Sequence, residues 1–161
     1  MTGKIWNSLA ITALFAFGAQ PVAAQENSAL TMKVELEKSV PGADGQAAQT
    51  VYVAPEVVVP GDRIRITLNF ANDRATPVKG INLVNPIPEG LVFDGTADPA
   101  DFGVSIDGGK NFGALATLTI PVDGAAPRRA TTADVTHVRW LWPEAIAPGQ
   151  NRSVAFFGRV R

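Results

Sequence analysis

Short runs of alternating apolar and polar residues recur along the chain from residue 30 onward. In the clearest run, 63–72, Ile64, Ile66, Leu68 and Phe70 alternate with polar or charged residues. Because successive side chains of a strand point to opposite faces, this alternation predicts a strand with one buried face. Similar patterns predict further strands at 30–36, 50–54, 79–84, 91–93, 115–122, 135–142 and 153–160.

Two of these runs carry distinctive apolar rows, which we expect to lie on the buried side of their strands. In the run 30–36, the apolar residues on one side are Leu30, Met32, Val34 and Leu36. In the run 135–142, the bulky residues on one side are Val138, Trp140 and Trp142.

Glycine and proline mark the connections between the predicted strands. A Pro-Gly-Asp turn precedes the strand at 63–72, a proline-rich corner follows 79–84, and an Asp-Gly-Gly sequence predicts a hairpin within 104–112. Proline cannot donate to a strand ladder, and glycine permits the backbone angles of a tight corner. The residues that we assign to these turns are Pro60, Gly61, Asp62, Asn85, Pro88, Gly90, Asp107 and Gly109.

These elements predict an all-β fold. No segment of ten or more residues shows helical periodicity, and frequent Gly/Pro turns separate about eight short strands, as in known sandwiches. We therefore predict an antiparallel immunoglobulin-like β-sandwich, with a barrel as the alternative. Loops are predicted at 41–49, 94–103 and 123–129.

The amino terminus has the pattern of a secretory signal peptide. Lys4 supplies a positive charge, the run 5–19 is mostly apolar, and small residues precede a cleavage point after Ala24. The alternative is a membrane anchor, but the apolar run is shorter than the ~20 residues that span a bilayer. We predict a signal peptide at 1–24 and a single domain at 25–161. The mature protein would be periplasmic or extracellular and would have no transmembrane anchor.

The amino-acid composition limits the kinds of functional site that this chain can form. The chain of 161 residues has no cysteine, so an exported domain would rely on its core rather than on disulfides. Its formal net charge of −1 provides no overall reason to bind nucleic acid. His137 is the single histidine, which argues against a zinc site and against a histidine-activated nucleophile. We predict no catalytic residues, no cofactor and no metal.

Trp140 and Trp142 allow two interpretations. If exposed, they would form a stacking platform for a sugar ring or for a partner's aromatic side chain. If buried, they would fill the core, which is the favoured interpretation because large aromatic side chains stabilise a domain that lacks disulfides.

Arginines are concentrated in the carboxy-terminal part of the chain. Arg139, Arg159 and Arg161 are candidate contacts for an anionic partner, such as a lipid headgroup or an acidic polysaccharide. The alternative, which we favour, is that they are solvent-facing strand residues, because surface charge of one sign is common.

Four aspartates lie in or beside a glycine-rich region. Their oxygens are of the kind that binds calcium, although their spacing fits no calcium loop, and the favoured alternative is turn chemistry. These residues are Asp94, Asp98, Asp101 and Asp107.

The turn residues also carry a resemblance to a known family. Pro60-Gly61-Asp62 before a strand, Asn72 at its end and the corner at 85–93 resemble the bacterial surface domain known as domain of unknown function eleven. The resemblance covers residues 30–93 and implies a surface or envelope module in single-copy form, with no enzymatic site. Separately, the residues at 105–112 resemble the aspartate box of sialidase-type propellers, which implies a structural hairpin only.

These observations favour an exported, non-enzymatic structural or interaction module. Its partner would be another envelope or surface protein, recognised by addition of a strand at an exposed edge. The alternative is a module that binds carbohydrate or an anionic glycan. An envelope hydrolase is the third and weakest possibility, because no acid–base constellation can be placed.

Overall fold

The computed structural model describes residues 29–42 and 46–161. The predicted signal peptide therefore lies outside the described residues. Ten strands form the described part, and two 3₁₀ turns lie at Leu115–Thr117 and Thr132–Asp134. The strands are β1 Leu30–Val40, β2 Gln49–Val53, β3 Arg63–Ala71, β4 Ile81–Pro86, β5 Leu91–Thr96, β6 Phe102–Ser105, β7 Thr119–Val122, β8 Ala125–Arg129, β9 His137–Trp142 and β10 Asn151–Val160.

The strands form two packed sheets and a hairpin. The larger sheet has five strands in the order β2-β1-β3-β10-β5, and the smaller has three in the order β4-β9-β6. β7 and β8 form the separate hairpin. Every strand pair is antiparallel. This architecture confirms the predicted all-β, antiparallel sandwich.

β3 is the centre of the larger sheet, as its alternating sequence predicts. Ile64, Ile66 and Leu68 are buried, whereas Arg63, Arg65 and the other intervening residues are half-buried on the opposite face. β1 pairs with one side of β3 and β10 with the other. The alternation therefore places three aliphatic side chains in the core.

The core lies between the two sheets and is rich in aromatic side chains. Phe102 of β6 stacks on Phe93 of β5, with ring centroids 5.9 Å apart. Trp140 of β9 lies 5.0 Å from Phe102 and 6.4 Å from Phe156 of β10. The smaller sheet therefore covers the β5 and β10 side of the larger sheet.

Several connections differ from the sequence prediction. Residues 123–129 were predicted as a loop, but Ala125–Arg129 forms β8 and pairs with β7 across a turn at Gly124, whose φ is +70°. All five residues of β8 are exposed, so this strand lacks the apolar alternation on which the prediction relied. The predicted strand at 115–122 is a 3₁₀ turn followed by β7, and the predicted loop at 94–103 is shortened by β5 and β6.

Within the part of the chain that the structure describes, no helix is long and apolar enough to cross a membrane.

Candidate functional site

The inner face of β1 carries an exposed apolar row. Met32 pairs with Leu68 and Val34 pairs with Ile66, so all four side chains lie on the same face of the larger sheet. Leu68 and Ile66 are 1% exposed, whereas Met32 is 59% and Val34 is 41% exposed. The expectation of a buried row in β1 is therefore correct for Leu36, which is 4% exposed, and wrong for Leu30, Met32 and Val34.

The order of the strands explains this exposure. Ring contacts place β6 against β5 and β9 against β10. β4, the third strand of the smaller sheet, follows on the side of β3. Among the described residues, no strand of the smaller sheet lies beyond β4, so nothing equivalent covers the part of β1 that contains Met32 and Val34.

The uncovered face forms a groove of about 560 Å³ between β1 and the corner that follows β4. We call it the β1 groove. Its only charged lining residues are Glu56 and Glu89, for which the described part of the chain contains no ion pair. The apolar side chains that line it are Met32, Val34, Pro55, Val58, Ile64, Ile66, Pro88, Leu91 and Val160.

β4, the strand that leads into the corner lining this groove, has a free backbone edge. The N–H of Ile87, just past the strand, donates to the carbonyl of Thr136 on the β9 side, at 2.8 Å. The N–H of Leu141 in β9 points away from β4, toward Asp101. Alternation along the ladder then directs the N–H groups of Asn82 and Val84 outward. No strand among residues 29–42 and 46–161 pairs with this edge.

The two predicted turns at the end of the sandwich meet the end of β10. The N–H of Gly61, a residue with φ of +94°, donates to Val160 O at 2.9 Å, and Val59 N–H donates to the Asp62 carboxylate. Arg161 N–H donates to the carbonyl of Gly90, whose φ is +83°. The Pro60 turn and the Pro88 corner, 28 residues apart in sequence, are thus fixed to one strand. In the same corner, the Asn85 side chain donates to Pro86 O.

Trp140 and Trp142 are both fully buried. The indole N–H of Trp140 donates to Asp98 O at 2.8 Å, whereas the indole nitrogen of Trp142 has no partner in the described chain. The guanidinium of Arg152 lies 4.6 Å from the centre of the Trp142 ring. These positions agree with the favoured core interpretation and present no aromatic platform to solvent.

The candidate arginines do not form one cluster. Arg139 stacks on the ring of Phe112 at 4.4 Å on the smaller sheet. Arg159 donates to the carboxylate of Asp94 and to Gly61 O on the larger sheet. Arg161 is exposed at the end of the chain. Arg139 and Arg159, two of the candidate contacts for an anionic partner, are therefore on different sheets.

A charged pair on the outer face of the larger sheet was not recognised in the sequence. Glu35 is only 5% exposed, and its carboxylate accepts two hydrogen bonds from Arg65, at 2.6 and 3.1 Å. Lys33 lies 2.8 Å from the other carboxylate oxygen, and Arg65 stacks on Tyr52 at 3.5 Å. The hydrogen bonds from Lys33 and Arg65 lower the pKa of Glu35 below its usual value. Opposite charges on paired strand positions were the available sequence signal.

Glu35→Gln is expected to destabilise the fold by about 1–2 kcal/mol at pH 7, because hydrogen bonds to a charged group are lost. A carboxyl whose folded pKa is lowered stabilises fully above its unfolded pKa of about 4.3, and this contribution disappears as pH falls through the folded pKa. Urea unfolding of the wild-type and Glu35→Gln proteins between pH 3 and 7 measures the difference between their free energies of unfolding. A difference that does not shrink below pH 4 would contradict this account, and Glu144→Gln, at an exposed glutamate, is the control.

The predicted Asp-Gly-Gly hairpin is only partly formed: a single bridge joins Val104 to Gly113, and Ser105 and Asp107 hold the turn between them. Asp107 accepts bonds from the N–H groups of Lys110 and Asn111 and from the Ser105 hydroxyl, at 3.1, 3.0 and 2.7 Å. The Asn111 N–H and then the Ser105 hydroxyl hold the pKa of Asp107 well below its usual range. The ring of His137 packs against Gly109 and contacts Thr136. The Ser105 hydroxyl donates to Asp107 and not to His137. This hydrogen bond stabilises the turn.

Asp107→Ala is expected to lower the melting temperature, because the N–H groups of Lys110 and Asn111 both lose their acceptor. Thermal unfolding followed by circular dichroism measures the effect. Lys110→Ala is the matched control, since this neighbouring residue is exposed and its side chain takes no part in the hairpin. Equal melting temperatures for the two variants would show that the hairpin does not depend on Asp107.

Three of the four aspartates that the sequence suggested for calcium have separate side-chain partners, and the backbone carbonyl of the fourth, Asp101, accepts the N–H of Leu141. Asp94 binds Arg63 and Arg159, Asp98 accepts the N–H of Ala155, and Asp107 holds the hairpin. No group of three potential metal-binding side chains occurs in the described ranges. Asp107 thus has the local turn role that the alternative predicted, whereas the carboxylate of Asp98 bonds a backbone N–H of the distant strand β10.

Comparison with known proteins identifies no relative: no family model, no curated protein and no solved structure matches this chain. The resemblance to the bacterial surface domain therefore stays a prediction from the residues that carry it.

Proposed function

We propose that this protein is an exported, non-enzymatic interaction module of the periplasm or cell surface, and that its partner is another envelope protein. The observation that carries the proposal is the exposed apolar row of β1, in which Met32 and Val34 lie beside fully buried residues of the same face. Exposed apolar surface next to a core is a mark of protein interaction sites. Export is supported by the signal-peptide pattern at 1–24, and an immunoglobulin-like surface module by the turn motifs at 60–62 and 85–93.

The chemistry of the β1 groove favours a polypeptide over the other candidate ligands. Sugar rings stack on exposed aromatic faces, and no aromatic side chain lines this groove. Anionic headgroups require basic residues, whereas the charged residues of this groove are Glu56 and Glu89. A glycan module that uses Trp140 and Trp142 would need side chains that are buried here. A protein segment matches both the apolar lining and the free backbone edge of β4.

Site-specific photo-crosslinking tests this function. A photoreactive phenylalanine analogue replaces Val34 in the full-length chain, which is expressed in its native host and irradiated in intact cells. We expect one predominant covalent adduct with a polypeptide of the envelope fraction, identified by mass spectrometry. The same analogue at Val122, an exposed residue on the separate hairpin, is the matched control. Equal labelling at both positions, or no adduct at either, would contradict the proposal.

A further inference from the structure

We propose that the β1 groove accepts an extended segment of the partner protein, which adds a fourth strand to the smaller sheet beside β4 and covers Met32 and Val34. This inference rests on the proposed function and specifies how the partner binds. Strand addition pairs exposed backbone groups and at the same time buries alternate side chains. The site offers both, because the corner that follows the free edge of β4 lines the groove together with the exposed row of β1.

The geometry selects β4 rather than another edge. β2 pairs only with Leu36–Val40 of β1, and a strand added outside the remaining part of β1 would lengthen the larger sheet and leave the inner faces of Met32 and Val34 uncovered. A strand added beside β4 lies above β1, because β4 follows β9 on the side of β3. Pro88 and Glu89, which follow β4, line the same groove as Met32 and Val34, so the edge and the apolar row are continuous. The added strand would complete the smaller sheet.

The lining also indicates the chemistry of the segment. Side chains that point toward β1 have to be apolar, so the segment alternates apolar with polar residues over about the six residues of β4. Glu56 and Glu89 lie at the end of the groove where β4 ends, and a lysine or arginine there would pair with them. Because every strand pair in the described part is antiparallel, we expect this basic residue at the amino-terminal end of the segment.

We assign the segment to another polypeptide, on the premise that the leader is removed as predicted. Cleavage after Ala24 would leave only Gln25, Glu26, Asn27 and Ser28 before the described residues. Four polar residues are too few and too polar to cover the apolar row. A second copy of this chain is a competing source, which the experiment distinguishes.

Panning of a random twelve-residue peptide library displayed on phage tests the inference. The target is the protein recovered from the exported fraction of cells that express the full-length chain. We expect enriched peptides to alternate apolar and polar residues after an amino-terminal basic residue. A synthetic copy of the most enriched peptide should slow amide hydrogen exchange at Asn82 and Val84. Its affinity is then measured by fluorescence anisotropy against the variants below.

Val84→Pro removes one outward N–H without removing a bond to β9, and it should weaken peptide binding about tenfold or more. Val84→Thr keeps the N–H and should bind normally. Val34→Lys should also weaken binding at least tenfold, whereas Val122→Lys on the separate hairpin should not. Asn82→Pro provides a second test of the edge if Val84→Pro unfolds, as judged by thermal melting.

Three outcomes would overturn the inference. The first is a library that yields no alternating peptide. The second is peptide binding that a folded Val84→Pro protein retains, or exchange protection on the edge of β1 instead of β4. The third is a dimer of the protein that Val84→Pro dissociates, which would identify a second copy as the occupant. If Val34 crosslinks to an envelope protein equally in the Val84→Pro background, the strand model fails while the proposed function stands.

Discussion

Trp140→Ala is expected to destabilise the protein by about 3–5 kcal/mol, the largest effect of any change considered for this chain. Trp140 is fully buried, and its ring joins Phe102 of the smaller sheet to Phe156 of the larger one. Truncation would leave a cavity between the sheets and would remove the donor for Asp98 O. The domain has no disulfide to limit the loss, because the sequence contains no cysteine.

Urea unfolding followed by tryptophan fluorescence and circular dichroism measures this change. Leu141→Ala is the matched control, because Leu141 is the next residue of β9, is 41% exposed and points to the opposite face. We expect the control to lose far less stability. A loss below about 1.5 kcal/mol for Trp140→Ala would show that the sheets can close around the vacant volume.

Asn72→Ala is expected to destabilise the protein by about 2–3 kcal/mol, because several buried groups lose their hydrogen bonds together. Asn72 is 1% exposed, and its side-chain amide donates to Thr76 O at 3.0 Å and to Ile146 O at 2.8 Å. Its carbonyl oxygen accepts the N–H of Arg74. The side chain thus ties the turn after β3 to the connection between β9 and β10.

The same unfolding measurement is applied to Asn72→Ala and Asn72→Asp. It distinguishes the contribution of the two donated hydrogen bonds to stability from the contribution of the rest of the side chain. An ionised aspartate keeps the shape and the acceptor but cannot donate, so at pH 7 it should be at least as destabilising as alanine. Asn151→Ala, at an exposed asparagine that begins β10, should change little. An Asn72→Asp protein as stable as the wild type would show that the two donated bonds contribute nothing.

Asn72 also gives a physical reason for one residue of the suggested family resemblance. In the sequence, Asn72 is a polar residue at the end of a strand, which is a common place for a turn. In the structure it is the donor that connects two distant loops, through Ile146 O, 74 residues away. The local sequence around Asn72 indicates the turn but not the second partner, because that partner is 74 residues away.

The sequence alone was sufficient where the deciding interactions are local. Alternation in 63–72 predicted β3 and the face shared by Ile64, Ile66, Leu68 and Phe70, of which the first three are buried and Phe70 is half-buried, because each side chain's face depends only on its position in the strand. The Asp-Gly-Gly hairpin was predictable because Asp107 bonds backbone groups three and four residues away. The antiparallel sandwich followed from many such strands and turns without helical periodicity.

Only the tertiary structure decided what covers each face. Met32, Val34 and Leu36 have the same alternation, yet only Leu36 is buried, because the smaller sheet ends at β4 and only Leu36 also pairs with β2, at Val53, which packs on the core. β8 was missed because backbone pairing across a turn needs no apolar row. Periodicity determines which side chains share a face of a strand. Whether another sheet covers that face depends on contacts between residues far apart in the sequence, and the candidate site lies where that cover is incomplete.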